Sequence, residues 1–228
     1  GDVYKRQLLL CPTETAVNNL EKEGFPYKAI TKLRQQIVNV GDVMFDAVLY
    51  YRERALKEVN LETFGLEHQG YALCTIHRQE NTDQAERIKS ILSALQSIAK
   101  DLVVVLLLHP RTKAKISQYN LESFLENLYL LDPVPYLEMQ RLQMSAKVIL
   151  TDSGGMQKEA YFHRVPCVTL RDETEWIETV ETGWNQLVGV DENAIVRTAK
   201  SIKPTTTTQT SIFGDGYAVE KVIKAIAD

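Results

Sequence analysis

Between Tyr71 and Leu170 the chain keeps switching its hydrophobic period, and that alternation narrows the possible folds more than any other feature. The short runs Tyr71–Thr75, Val103–Leu108, Asn127–Leu131, Lys147–Leu150 and Val165–Leu170 read as strands. Among them stand helical stretches: Ala85–Lys100, with Ile88, Ile91, Leu92, Leu95 and Ile98 at helical spacing, then Tyr136–Ser145 and Gln157–His163. Strand and helix alternating this way imply parallel β-α-β units with helices on both faces of one sheet. Ligands of such sheets bind beyond the carboxyl ends of the strands, near a switch in strand order. The polar turns after Thr75, Leu108, Leu150 and Leu170 are therefore expected to converge on one crevice.

The flanks are less regular. Leu8–Cys11 reads as a buried strand, and Pro12–Thr15 opens a helix that carries Val17 and Leu20 and stops at Gly24. Ile37–Val43 reads as a strand and turn, and Met44–Val59 as a helix with Phe45, Val48, Leu49 and Leu56 on related faces. Toward the end, Pro204–Thr210 is a Thr-rich surface loop. Gly214-Asp215-Gly216 makes a tight turn, and Ala218–Ala227 forms a closing amphipathic helix. A net charge of −4 over 228 residues gives no basic footprint for nucleic acid or anionic membranes. No apolar run reaches the roughly 18 residues of a membrane span. The scattered Cys11, Cys74 and Cys167 show no metal spacing and sit in or beside apolar runs, as buried thiols of a reducing cytosol do. Asp2–Gln7 reads as the translation of a transposon-end adapter. Residues 1–7 are then non-native, and the chain is a fragment cut inside a gene; the alternative is a natural polar arm.

Chemistry concentrates in Thr151-Asp152-Ser153-Gly154-Gly155-Met156-Gln157-Lys158-Glu159-Ala160, directly after an apolar strand. A Ser-Gly-Gly turn at a strand-to-helix junction suits a phosphate, because free backbone N–H groups point at the anion and glycine lets the backbone approach closely. Glu159, about one helical turn on, is placed to accept hydrogen bonds from a ribose diol; the alternative is a solvated helical carboxylate.

Several groups together resemble the non-hydrolysing UDP-N-acetylglucosamine 2-epimerases, a family with the two-lobed GT-B fold. They are Cys11-Pro12-Thr13-Glu14-Thr15, Val40 to Asp46, Thr75-Ile76-His77-Arg78-Gln79-Glu80-Asn81, Thr151 to Ala160, Arg171 to Trp176, and Gly214-Asp215-Gly216. The resemblance implies an α/β chain of GT-B type: a Rossmann-like, parallel-sheet C-terminal lobe with a remnant of the N-terminal lobe. It divides the chain into residues 8–60, the end of the N-terminal lobe and the connection; 61–205, the UDP-binding lobe; and 206–228, a loop and helix returning toward the N-terminal lobe. The activity implied is inversion at C2 of a UDP-sugar by elimination and re-addition of UDP, with neither metal nor redox cofactor. The expected protein is cytoplasmic, feeds surface-polysaccharide synthesis and is a homodimer when full length. The carboxylates that move the C2 proton have no match here, so the fragment is expected to be inactive alone.

By the same resemblance His77 is the essential histidine of the diphosphate site. Ser153, Gly154 and Gly155 form the diphosphate cradle, and Glu159 is the ribose ligand. Arg78 holds phosphate or a second substrate molecule, or else pairs with Glu80. Arg171 faces the diphosphate or sugar, or else pairs with Asp172 or Glu175. Met139 stands where the family has an aromatic under the uracil, a role its thioether suits. Trp176 replaces an arginine. With the Gly41-Asp42-Val43-Met44 variant it resembles the branch acting on UDP-2,3-diacetamido-glucuronate, so UDP-N-acetylglucosamine is the default substrate and the diacetamido-uronate sugar the alternative. A GT-B glycosyltransferase, or a nucleotide-binding module without activity, are the other readings. His109 reads as the structural end of its strand, and His68 and His163 carry no functional case.

Overall fold

A computed structural model describes residues 8–26, 35–205 and 211–227; the adapter-like segment and most of the Thr-rich loop lie outside them. The described residues divide into two units, one up to Tyr50 together with Ser211 onward, the other from Tyr51 to Thr205. Among them no helix is long and apolar enough to cross a membrane.

The larger unit is built on a six-stranded sheet of β3 (Tyr71–Thr75), β4 (Val103–Leu107), β5 (Tyr129–Leu131), β6 (Val148–Thr151), β7 (Cys167–Thr169) and β8 (Asn185–Leu187). Their order is β5-β4-β3-β6-β7-β8 and every pairing is parallel. Strand order switches between β3 and β6. The period-2 geometry of a strand sends Tyr71 and Leu73 to one face and Ala72 and Cys74 to the other, all fully buried. One face packs on α4 (Ala85–Ala99) through Ile88, Ile91, Leu92, Leu95 and Ile98, on α5 (Pro110–Gln118) through Ile116, and on α9 (Glu192–Ser201) through Ile195 and Ala199. The other packs on α6 (Tyr136–Ser145) through Leu142 and on α7 (Gly154–His163) through Met156 and Ala160. A sheet covered on both faces explains the nearly continuous apolar strands.

Several elements differ from expectation. The stretch after Arg78 is not only a turn: Gln79–Thr82 winds into a short helix, α3. Helix α7 starts at Gly154 rather than Gln157, because Ser153 caps it by accepting from Met156 N at 3.4 Å, so both glycines lie in its first turn. Helices α5, α9 and the one-turn α8 (Ile177–Glu181), and the edge strand β8, had no assignment.

The smaller unit holds the parallel pair β1 (Leu8–Cys11) and β2 (Gln36–Asn39), with α1 (Glu14–Lys22) and α10 (Ala218–Ala227). It also contains the first half of α2 (Val43–Glu58), whose second half belongs to the larger unit. Gly41 and Gly214 have positive φ, and a Cβ added to Gly214 would stand 3.0 Å from Gly41 Cα, so two chain segments cross there at a distance open only to glycine.

Candidate functional site

At the carboxyl edge of the larger sheet, beside the β3/β6 switch, lies a cavity of about 280 Å³. The turn after β3 contributes Ile76 and His77, β4 leads into it with Leu107 and His109, and the segment after β5 adds Pro133 and Val134. Helix α6 contributes Met139 and Gln143, and the start of α7 adds Ser153, Gly155, Met156 and Glu159. Of the residues singled out from the sequence, His77, Met139, Ser153, Gly155 and Glu159 thus share one cavity. Gly154, Arg78 and Arg171 do not line it.

The turn that carries His77 is held by a residue with no role assigned from the sequence. Asp152, fully buried at the end of β6, accepts from His77 N at 3.1 Å, from Arg78 N at 3.0 Å and from Asn81 Nδ2 at 3.1 Å. His77 Nδ1 lies 3.5 Å from the same carboxylate, while the ring is 44% exposed and open to a ligand. Asn81 also donates to the Leu170 carbonyl at 2.9 Å, which ties the turns after β3, β6 and β7 together. An acidic residue at the last position before the Ser-Gly-Gly turn was the available signal.

Gly154 lies against side chains of the cavity rim. A Cβ there would meet Trp176 Nε1 at 3.1 Å, Glu175 Oε2 at 3.5 Å and Arg78 Nη2 at 3.6 Å, so its bareness admits side chains of the rim. Arg171, only 4% exposed, donates to Glu80 Oε1 at 2.9 Å and Glu175 Oε2 at 2.8 Å. The hydrogen bond to Glu175 raises the guanidinium pKa further, and the same contact lowers the carboxyl of Glu175. Arg78 pairs with Glu175 at 3.7 Å rather than with Glu80, so Glu175 stands between two arginines. The Lys158 ammonium sits over the Trp176 ring, 4.0 Å from its centroid.

Glu159 is no solvated helical carboxylate. Gln143 Nε2 donates to Oε2 at 2.7 Å and Gln140 Nε2 to Oε1 at 3.4 Å. Burial raises its carboxyl pKa, and the Gln143 hydrogen bond opposes that rise. His109 caps α5 by accepting from Arg111 N at 3.2 Å, as a strand-ending residue would, yet also lines the cavity.

A family model described as UDP-N-acetylglucosamine 2-epimerase matches residues 6–227. A Pseudomonas aeruginosa protein named UDP-2,3-diacetamido-2,3-dideoxy-D-glucuronate 2-epimerase is 42% identical over 222 residues, or 96% of this chain and 59% of that protein. A Methanococcus maripaludis UDP-N-acetylglucosamine 2-epimerase homolog is 41% identical, over 96% of this chain and 60% of its own length. The crystal structure of Methanocaldococcus jannaschii UDP-GlcNAc 2-epimerase in complex with UDP-GlcNAc and UDP superposes with a TM-score of 0.86 at 36% identity, covering 97% of this chain and 61% of that one. This chain therefore spans about 60% of the length of the curated relatives it matches.

Proposed function

Because this chain belongs to the UDP-N-acetylglucosamine 2-epimerase family, we propose that it is the nucleotide-holding part of an enzyme that inverts C2 of a UDP-linked acetamido sugar. Its parallel sheet is the Rossmann-like part of a GT-B fold. One observation carries the reading: His77, Met139, Ser153, Gly155 and Glu159, far apart in sequence, line one cavity at the switch point. At about 280 Å³ the cavity is at the small end of the range for ligand sites, room for the uridine end with the diphosphate and sugar beyond it. Met139 packs on the base, Glu159 accepts from the ribose hydroxyls, and the α7 N-terminus with Ser153 and Gly155 faces the diphosphate.

In the proposed reaction a base takes the C2 proton while the C1–O bond breaks and UDP departs, leaving a C1–C2 double bond. UDP and a proton then add back, the proton on the opposite face. The base belongs to the part of the relatives that this chain does not span. His77 stabilises the charge gathering on the departing diphosphate, and Asp152 holds His77 there.

UDP-N-acetylglucosamine is the default substrate. The 42% identity to the Pseudomonas aeruginosa protein supports a diacetamido-uronate sugar as the second reading. Trp176→Arg in a full-length enzyme, assayed on both sugars, separates them. Buried free thiols at Cys11, Cys74 and Cys167 support a cytoplasmic setting, and a homodimer is the state proposed for the full-length protein. Calorimetric titration of UDP into the folded chain tests the site. Binding is expected, and Glu159→Ala is expected to weaken it at least tenfold, about 1.4 kcal/mol. A folded chain that ignores UDP would sink this reading.

A further inference from the structure

Helices α6 and α7 face each other with four polar side chains in line. Gln140 and Gln143 are three residues apart on α6, and Glu159 and His163 four apart on α7, so each pair shares a helix face. Gln140, Gln143 and His163 are 0%, 1% and 7% exposed. His163 Nε2 lies 2.8 Å from Gln140 Oε1, Gln140 Nε2 donates to Glu159 Oε1 at 3.4 Å, and Gln143 Nε2 donates to Glu159 Oε2 at 2.7 Å.

The direction of this chain follows from its centre. An ionised carboxylate only accepts, so both amides turn their NH₂ groups toward Glu159. The Gln140 carbonyl must then face His163, and the imidazole must carry its proton on Nε2. Burial, reinforced by the charge of Arg52, lowers the His163 pKa to about 3, so Nδ1 is bare. The chain ends at both sides in buried atoms with no partner among the described residues, His163 Nδ1 and Gln143 Oε1. Leaving such an atom unpaired costs roughly 1–3 kcal/mol. Gln143 is therefore oriented by what Glu159 needs and not by its own satisfaction, while Gln140 has a partner at both amide atoms.

We infer that Gln143 and Gln140 are positioning residues for nucleotide recognition, fixing the Glu159 carboxylate so that each oxygen keeps an acceptor site for one hydroxyl of a cis-diol. His163 orients Gln140 from behind. This rests on the reading of the cavity as a nucleoside site and adds to it the device that aims the carboxylate. An unsupported glutamate would rotate about its terminal torsion and would lose that rotation on binding.

The test is calorimetric titration of UDP, 2′-deoxy-UDP and 3′-deoxy-UDP into the chain and its Gln143→Met, Gln140→Met and Glu159→Ala variants. Methionine keeps the unbranched shape and removes the amide. Gln143→Met is expected to weaken UDP about tenfold but each deoxy ligand less than threefold, because with one hydroxyl missing there is no diol to align. Gln140→Met should follow the same pattern with a smaller factor. Gln143→Met removes an unpartnered acceptor together with the donor to Glu159, two opposing effects, so its melting temperature should change little. Equal weakening of UDP and the deoxy ligands would show a merely structural role and overturn the inference, as would unchanged UDP affinity in Gln143→Met. Failure of the underlying reading looks different: the unaltered chain ignores UDP, or Glu159→Ala binds it as well, and the inference then falls with it.

Discussion

The two sheets among the described residues use the same parallel pairing and end in opposite conditions. In the six-stranded sheet, β3 is flanked by β4 and β6, and its residues Tyr71 to Cys74 are sealed on both faces. In the β1–β2 pair only Cys11 is buried, α1 has no buried residue, and α10 buries only Ala218 while Ile223 and Ile226 stand 63% and 69% exposed. Parallel strands are stable when covered on both faces and paired on both edges. A two-stranded pair with open faces is marginal. The larger unit therefore carries its own stability and can hold a site rigidly, whereas the described residues of the smaller one bury a handful of apolar side chains, Cys11, Val40, Val48, Phe213 and Ala218.

That contrast can be broken most forcefully in the cores. Leu73→Ala empties a fully buried position and should cost about 2–5 kcal/mol in urea denaturation. The same change at half-buried Leu9 should cost less than about 1 kcal/mol. Similar losses at both positions would erase the distinction. Next comes the clamp that joins sheet to site. Asp152→Ala leaves the His77 and Arg78 amides and the Asn81 side chain without their acceptor, a penalty of about 1–3 kcal/mol. Amide exchange at His77 and Arg78 should rise at least tenfold while that of Val105 in β4 stays slow.

A pH series sharpens the picture further. The folded His163 holds its proton only near pH 3, well below the unfolded value of 6.5. The unfolded chain thus binds the proton first, and stability falls as pH drops below 6.5, by up to about 1.4 kcal/mol per pH unit. Glu159 has the opposite sign: its raised folded pKa gives stability at low pH that is lost as pH rises through that value. His163→Gln should flatten the slope between pH 6 and 5, roughly one unit of that titration; an unchanged slope would place its origin elsewhere. The smallest effect is expected on α10. Ile223→Ser with Ile226→Ser should change stability by less than about 0.5 kcal/mol each, yet reduce self-association in light scattering.

How legible these features were in the sequence depended on how locally they are determined. Strand β3 and helices α6 and α10 have the bounds that their periodicity predicts, and all five apolar positions marked on α4 are buried. Helix α5 escaped because it buries only Thr112 and Ile116 among charged neighbours, and β8 because three residues, Asn-Gln-Leu at a sheet edge, carry no alternation. At the site, the Ser-Gly-Gly turn, His77 and Glu159 could be singled out because each lies in a contiguous motif. The Asp152 clamp spans 74 and 75 residues, and the Gln140–His163 contact joins two helices across 23, so no local pattern announces either. The role of Arg171 was open for the same reason: its partner Glu80 lies 91 residues away.

The switch in strand order has a consequence for assembly. Residues 71–131 supply β5-β4-β3, residues 148–187 supply β6-β7-β8, and each half is a continuous piece of chain. Within the sheet the halves join along β3 and β6, where Thr75 meets Thr151 across 76 residues of sequence. Each half can form from neighbouring segments, but closing that long loop comes late. The cavity straddles this joint, with His77 and His109 on one side and Ser153 and Glu159 on the other. A ligand lodged there acts as a fastener: it binds only molecules whose seam has closed, and by mass action holds the seam shut.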